Sequence, residues 1–93
     1  MDNVHPGDIL RHDFLIGSEI PLIEVAQASG VSMKVLTDLL DRRIAVDAVT
    51  DLRLARYFGV SEGIFMALQN DYDIEEAKHA LNGDLDRIVP RAA

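Results

Sequence analysis

The chain has 93 residues, a formal net charge of −7 and no cysteine. A chain of this length forms one domain with a modest core and leaves no room for a separate catalytic module. The lack of cysteine excludes disulfides and thiolate metal ligands, and the sequence has neither an apolar run of membrane-spanning length nor a secretory signal. We therefore expect a single-domain cytoplasmic protein that has no contact with a membrane.

Capping and helix-breaking residues divide the chain into five predicted helices and no strand. The helices cover about residues 5–15, 21–29, 32–40, 47–58 and 61–81. Ser32 and Asp47 are predicted N-caps, because a short polar side chain accepts an unpaired backbone N–H in the first turn. Asn82-Gly83 ends the last and longest helix. The expected organisation is a domain over residues 1–84 followed by a loosely ordered tail over residues 85–93.

The second and third predicted helices have the spacing of a helix-turn-helix, which makes DNA the first partner to consider. Ala26 is small enough to let the two helices approach each other, and Gly30 provides the positive φ that ends the second helix. The angle between the helices is filled by Val31, Leu36 and Leu39. The same pattern also suits a tight helical hairpin that has no role in DNA binding.

The charge of the chain is unevenly distributed. Residues 30–58 contain five basic and four acidic side chains, whereas the remaining residues contain four basic and twelve acidic ones. Because the neutralisation of phosphates drives affinity for DNA, the segment with the least acidic balance is the expected contact region. We expect DNA binding to be weak for each monomer and steeply dependent on salt.

Sequence landmarks extend well beyond the helix-turn-helix. They are His5-Pro6-Gly7-Asp8-Ile9-Leu10, Val25-Ala26, Gly30-Val31-Ser32, Leu39-Leu40, Leu52-Arg53-Leu54-Ala55-Arg56, Phe58-Gly59, Leu68-Gln69 and Tyr72-Asp73. With these landmarks, residues 5 to about 78 resemble the HigA antitoxins of bacterial toxin–antitoxin pairs, a branch of the Xre/Cro-like helix-turn-helix regulators. The opening His-Pro-Gly and the closing Leu-Gln and Tyr-Asp pairs are more specific than the helix-turn-helix.

The resemblance implies a fold and a set of partners. The fold is an all-α, five-helix Cro/repressor-like helix-turn-helix domain with a longer C-terminal helix. The function is that of a homodimer that neutralises a small ribonuclease toxin and represses its own operon by binding an inverted repeat in double-stranded DNA. An acidic chain also suits a small basic toxin as partner.

The third helix and the turn after it supply the predicted DNA contacts. Since Leu36 and Leu39 point into the core, the opposite face should enter the major groove. The predicted contact residues are Ser32, Lys34, Val35, Thr37, Asp38, Arg42 and Arg43. Lys34 could donate to guanine and Val35 could touch a thymine methyl, whereas Ser32 and the two arginines would hold phosphates. Each of them could instead be an ordinary solvated residue.

Several positions depart from the HigA pattern where DNA contact is expected. Leu22 offers no polar anchor at the start of the second helix, and Met33-Lys34-Val35 replaces the usual Arg-Pro-Thr. Asp38 could accept a hydrogen bond from cytosine, yet it would repel phosphates. These departures favour an alternative function, in which the chain is a protein-binding antitoxin-like module or orphan regulator with weak or lost DNA binding.

The fifth helix is the predicted dimer element, because its apolar face is broader than a small monomer easily buries. The predicted interface consists of Ile64, Phe65, Leu68 and Tyr72. The alternative is that all four side chains pack inside the monomer. Arg53 and Arg56 are expected to brace the fourth helix or to pair with carboxylates.

An enzymatic function has little support in the sequence. His5, His12 and His79 are far apart and lack the spacing of metal ligands, so each is expected to lie on the surface. Ser18 and Ser61 have no partner histidine and are typical of turns and caps. We therefore predict no catalytic residue, no metal and no cofactor.

Overall fold

A computed structural model describes residues 3–92, and every regular element in this range is helical. The helices are α1 (Pro6–Ile9), α2 (Leu22–Ser29), α3 (Met33–Leu40), α4 (Ala48–Phe58) and α5 (Ile64–Leu81). The predicted all-α class with five helices and a longer last helix is confirmed. Residues 1, 2 and 93 of the predicted domain and tail lie outside the described range.

The first predicted helix consists of two parts. After α1 the chain continues as a π-helical segment over Leu10–Leu15. Its last hydrogen bond runs from the N–H of Ile16 to the carbonyl of Arg11 over 2.8 Å, a five-residue step. Leu10, the first residue of this segment, is fully buried in the core.

Local capping explains the bounds of the middle helices. Ser32 accepts a hydrogen bond from the N–H of Val35 at 3.1 Å, and Asp47 accepts one from Thr50 at 2.8 Å. Gly59 takes a left-handed conformation with φ of 70° after α4. Both predicted N-caps are confirmed, because a cap depends only on residues within one turn of each other.

The predicted start of α5 is wrong. The helix begins at Ile64 and not at Ser61, and its N-cap, Gly63, provides no side-chain bond. The buried carboxylate of Asp51 on α4 instead accepts hydrogen bonds from the N–H groups of Gly63 at 2.6 Å, Phe65 at 2.8 Å and Met66 at 3.1 Å. A cap supplied from another helix leaves no signal in the local sequence.

The core lies between all five helices. Its buried members are Leu10, Val25, Ala26, Val31, Leu36, Leu39, Val46, Leu54 and Phe65. The residues predicted to fill the helix-turn-helix angle are among them, so this prediction is confirmed. Phe65 is 0 % exposed in the single chain and contacts Phe14 with ring centroids 5.5 Å apart. Its prediction as a dimer contact is therefore corrected: Phe65 is a core residue without surface for a second chain.

The molecule is elongated, with principal extents of 52 × 28 × 21 Å. The second half of α5 causes this shape, since no described residue after Gln69 is buried. Beyond α5, Asp84–Arg87 form one 3₁₀ turn within the segment predicted as a loose tail. No helix within residues 3–92 is long and apolar enough to cross a membrane.

Candidate nucleic-acid interface

The turn between α2 and α3 has the geometry that a helix-turn-helix requires. Gly30 has φ of 79°, and its N–H donates to the carbonyl of Ala26 at 2.9 Å. The buried Ser29 hydroxyl accepts from the N–H of Val31 at 3.1 Å. Arg53 on α4 donates to the carbonyl of Ser29 at 3.2 Å, which places a cation at the C-terminus of α2. Arg53 thus braces α2 from α4 and pairs with a carbonyl, not with a carboxylate.

The exposed face of α3 carries only part of the predicted contact set. Ser32, Lys34 and Thr37 are exposed, and the Lys34 side chain retains 84 % of its accessible surface. Val35 is half-buried and packs against the core, so a smaller part of it faces outward. The Thr37 hydroxyl donates to the carbonyl of Met33 at 2.7 Å. Its oxygen therefore remains available as an acceptor.

Lys34 and Asp38 form an ion pair on this face. The ammonium lies 3.0 Å from one carboxylate oxygen, and the Asp38 side chain is 17 % exposed. Such surface pairs contribute about 0–1 kcal/mol, so an incoming phosphate or base edge can compete for the lysine. The pair nevertheless reduces the positive potential at the point where DNA contact is predicted.

Arg42 and Arg43 are both predicted phosphate contacts, but they lie in different environments. Arg42 has φ of 62° and donates to the carbonyl of Asn3 at 2.8 Å. Its guanidinium also lies 3.6 Å from the carboxylate of Asp8 and 5.8 Å from the ring centroid of Tyr72. Arg43 is exposed, and no salt bridge to it occurs within residues 3–92. Arg43 is therefore the arginine that can reach a phosphate without breaking internal contacts.

The His-Pro-Gly-Asp landmark positions the end of α3. His5 Nδ1 accepts from the N–H of Gly7 at 2.9 Å, and Asp8 accepts from the N–H of His5 at 3.0 Å, which forms a capping box. Gly7 packs directly on the carbonyl of Leu39, where a β-carbon would collide. This close approach explains the glycine and connects α1 to the C-terminus of the candidate recognition helix.

His5 is buried, with only 2 % of its surface accessible, which corrects the expectation of a surface histidine. Burial lowers the pKa of His5 below its usual 6.5, and the nearby Arg42 lowers it further. The nearby carboxylates of Asp8 and Asp73 raise the pKa of His5. The neutral imidazole is the form that can accept the hydrogen bond from Gly7.

The Leu-Gln and Tyr-Asp landmarks on α5 have defined roles as well. The buried Gln69 accepts from the N–H of Val46 at 2.8 Å and donates to Asp73 at 2.9 Å, so it fixes the connector between α3 and α4. The Tyr72 ring meets the His5 ring edge-on, with centroids 4.8 Å apart. The carbonyl of Tyr72 accepts from Asn3 at 2.8 Å. The first and the last of the sequence landmarks therefore meet in space.

The start of α2 lacks a polar anchor, as its sequence predicts. Its N-cap is Pro21, which provides no side-chain hydrogen bond, and Leu22 is half-buried. The candidate interface therefore consists of the exposed face of α3 and Arg43.

Across residues 3–92, no group of three or more histidine and acidic side chains is arranged to hold a metal ion.

Comparison with known proteins places the chain in a family. No protein-family model matches it. It is 32 % identical over 85 residues to virulence-associated protein I of Dichelobacter nodosus, which covers 88 % of this chain and 79 % of that protein.

Several solved structures are similar to this protein over essentially the whole chain. PA4674 of Pseudomonas aeruginosa, solved in complex with its 18-bp operator DNA, is 33 % identical, with a TM-score of 0.91 over 100 % of this chain and 99 % of that one. The Pseudomonas aeruginosa antitoxin HigA, solved with the higBA promoter, is 29 % identical, with a TM-score of 0.87 over 99 % of this chain and 100 % of that one. The chain therefore belongs to the family of HigA-type antitoxins with an Xre-like helix-turn-helix fold.

Proposed function

We propose that this protein is an antitoxin and transcriptional repressor that binds operator DNA as a homodimer. The observation that carries the proposal is the exposed face of α3 beside Arg43. The surrounding fold matches, over essentially its whole length, an antitoxin solved with promoter DNA and a protein solved with its operator DNA. The protein binds an inverted repeat in double-stranded DNA and thereby represses its own operon. It also neutralises a small basic ribonuclease toxin.

The candidate contacts divide into base-reading and phosphate-holding residues. Lys34 and Thr37 are exposed on α3 and read base edges in the major groove, where lysine donates to guanine. Ser32 at the exposed N-terminus of α3 and Arg43 after its end hold phosphates on either side. Val35 contributes a methyl contact, Asp38 is a further candidate for cytosine, and Arg42 must first give up its bonds to Asn3 and Asp8.

A homodimer supplies the second recognition helix that an inverted repeat requires. The proposed interface lies on α5, where Ile64 is 38 % exposed and Leu68 and Tyr72 are half-buried. Few residues of α5 are buried within the single chain, namely Phe65 and Gln69. A second copy would cover the remaining apolar side chains of this helix.

The electrostatics of the second half of the chain support a basic protein partner. Residues 60–92 contain seven acidic and three basic side chains, and most of them lie on the exposed part of α5 and beyond it. Opposite charge speeds association and selects partners. A ribonuclease that binds the RNA backbone carries the complementary positive charge.

Operator binding is the direct test. The purified protein is titrated against a labelled fragment of its own upstream region while salt is raised from about 50 to 200 mM, a range in which phosphate-dominated affinity falls steeply. We expect a saturable shift that random DNA does not compete away. Lys34→Ala/Arg43→Ala should abolish the shift, whereas Arg11→Ala removes an exposed positive charge outside α3 and should leave it unchanged.

A second function, protein binding without operator recognition, is favoured by one observation. Two of the predicted DNA-binding cations, Lys34 and Arg42, are engaged by carboxylates within the chain. Under this alternative, folded protein shows no shift at the lowest salt, and the Lys34→Ala/Arg43→Ala variant still captures the toxin. A shift that requires both cations would reject it.

A further inference from the structure

A groove lies between α5 and the N-terminal segment. Its volume is about 410 Å³. Four apolar or aromatic side chains line it: Val4, Ile9, Leu68 and Tyr72. Val4 is 53 % exposed, so apolar surface is accessible at the mouth of the groove.

Acidic side chains border this groove along α5. Asp71 and Glu75 are both exposed and lie one turn apart on the same helix face as Leu68 and Tyr72. Glu75 also lies 3.6 Å from the ammonium of Lys78, an exposed pair that an incoming arginine can displace. The groove thus combines an apolar floor with a negatively charged edge. An occupant with complementary chemistry has an apolar centre flanked by positive charges.

The C-terminal tail of the chain has this chemistry. Ile88 and Val89 are 67 % and 84 % exposed, the two highest values among the large apolar residues of the described range. Arg87 precedes this pair and Arg91 follows it closely. The tail does not occupy the groove of its own chain, since such a position would cover both apolar side chains.

We propose that, in the homodimer, the tail of each copy docks in the groove of the other copy. Ile88 and Val89 cover the apolar floor, and Arg87 and Arg91 lie beside the carboxylates of α5. The exchange extends the proposed α5 contact, because Leu68 and Tyr72 belong to both surfaces. This inference rests on the homodimer of the proposed function.

Site-specific cross-linking tests the exchange, because the sequence contains no cysteine that could interfere. Val4→Cys and isotopically labelled Ile88→Cys proteins are mixed and oxidised, and mixed disulfides are identified by mass spectrometry. We expect about tenfold more mixed disulfide than with Val49→Cys in place of Val4→Cys, because docking raises the effective concentration of the thiols. Val49 is a matched control on α4, with 60 % exposure.

Equal yields with the two partners would overturn the inference. A disulfide formed within single chains of a Val4→Cys/Ile88→Cys variant would also overturn it, since the tail would then occupy its own groove. Sedimentation of the same samples separates this failure from that of the homodimer: a dimer without tail cross-links refutes only the exchange, whereas a monomer refutes both.

A charge exchange provides a second test that does not depend on thiols. Arg87→Glu/Arg91→Glu should weaken the dimer measured by sedimentation, because like charges then face Asp71 and Glu75. Adding Asp71→Arg/Glu75→Arg to this variant should restore the dimer. An unchanged dimer after the arginine substitutions, or no recovery after the second pair, contradicts the docking.

Discussion

Single buried carboxylates can determine where a helix begins. Asp51 is 2 % exposed and takes hydrogen bonds from three N–H groups at the start of α5. These donors have no partner within their own helix, and the negative charge also matches the positive end of the helix dipole. Asp51 therefore caps the N-terminus of α5, the role that the sequence assigns to Ser61.

The role of Asp51 predicts a loss of stability. Asp51→Ala should lower the free energy of unfolding by about 2–3 kcal/mol, because it leaves buried N–H groups without an acceptor. Urea unfolding measures the change. Asp84→Ala, at an exposed position in the 3₁₀ turn, serves as control and should change stability by less than about 0.5 kcal/mol. Equal effects of the two substitutions would refute the capping role.

Asp38 reduces the positive charge of the candidate interface. It holds the Lys34 ammonium at 3.0 Å and adds a negative charge to the candidate interface. Asp38→Asn should therefore tighten binding to random-sequence DNA by about fivefold, which corresponds to about 1 kcal/mol. Fluorescence anisotropy at fixed salt gives the affinity, with Glu62→Gln as a control for net charge. Weaker binding of Asp38→Asn to random DNA would contradict this account.

At the scale of elements, the position of α3 depends on contacts from the N-terminal segment and from α5. Gly7 in α1 packs on the carbonyl of Leu39, and Arg42 ties the turn after α3 to Asn3 and Asp8. Gln69 on α5 holds the connector that follows. The candidate recognition helix is thus fixed at its C-terminus by α1 and α5, whereas its exposed face remains open.

The contact of α1 with α3 predicts the effect of one added methyl group. Gly7→Ala places a β-carbon against the carbonyl of Leu39 and should lower the free energy of unfolding by about 1–3 kcal/mol, the usual cost of overpacking. Operator affinity should fall as well, because the end of α3 must shift. Thermal unfolding and anisotropy report the two effects. Asn70→Ala on the exposed face of α5 is the control, and a neutral Gly7→Ala would show that α1 adjusts freely.

At the scale of the whole molecule, the N-terminal segment and the middle of α5 are joined around His5. Its ring packs against Tyr72 from α5, and its Nδ1 caps α1. Because the acceptor role requires a neutral imidazole, this junction depends on the protonation state of one residue.

The lowered pKa of His5 predicts a pH dependence of folding. In the unfolded chain, the His5 imidazole takes up a proton near pH 6.5. In the native state its pKa is lower, so below about pH 6.5 the unfolded state binds more protons than the native state. The stabilisation is complete above about pH 6.5 and is lost as the pH falls through the lowered pKa of the native state. Urea midpoints measured between about pH 7.5 and 5.5 should therefore fall with acidification.

His5→Asn provides the matched variant for this measurement. Asparagine is a good N-cap and does not titrate, so the variant should lose the part of the pH dependence that arises from His5. An identical decline in the wild type and in His5→Asn would assign the pH dependence to other groups.

The sequence alone determined the features that depend on neighbouring residues. The helix-turn-helix follows from Gly30, from the Ser32 cap and from the spacing of Leu36 and Leu39, because turns, caps and helical periodicity operate within a few residues. The resemblance to HigA antitoxins followed from the same chain of local landmarks. The DNA contacts themselves stay a prediction, because they require a partner.

Only the tertiary structure decided the roles that depend on residues far apart in the chain. Phe65 lies in the core and not in a dimer interface, His5 is buried under Tyr72, and Arg42 is held by the N-terminal segment. Asp51 starts a helix from 14 positions before Phe65. Burial and hydrogen bonding between distant residues arise when helices pack against each other, and no pattern of neighbouring residues encodes them.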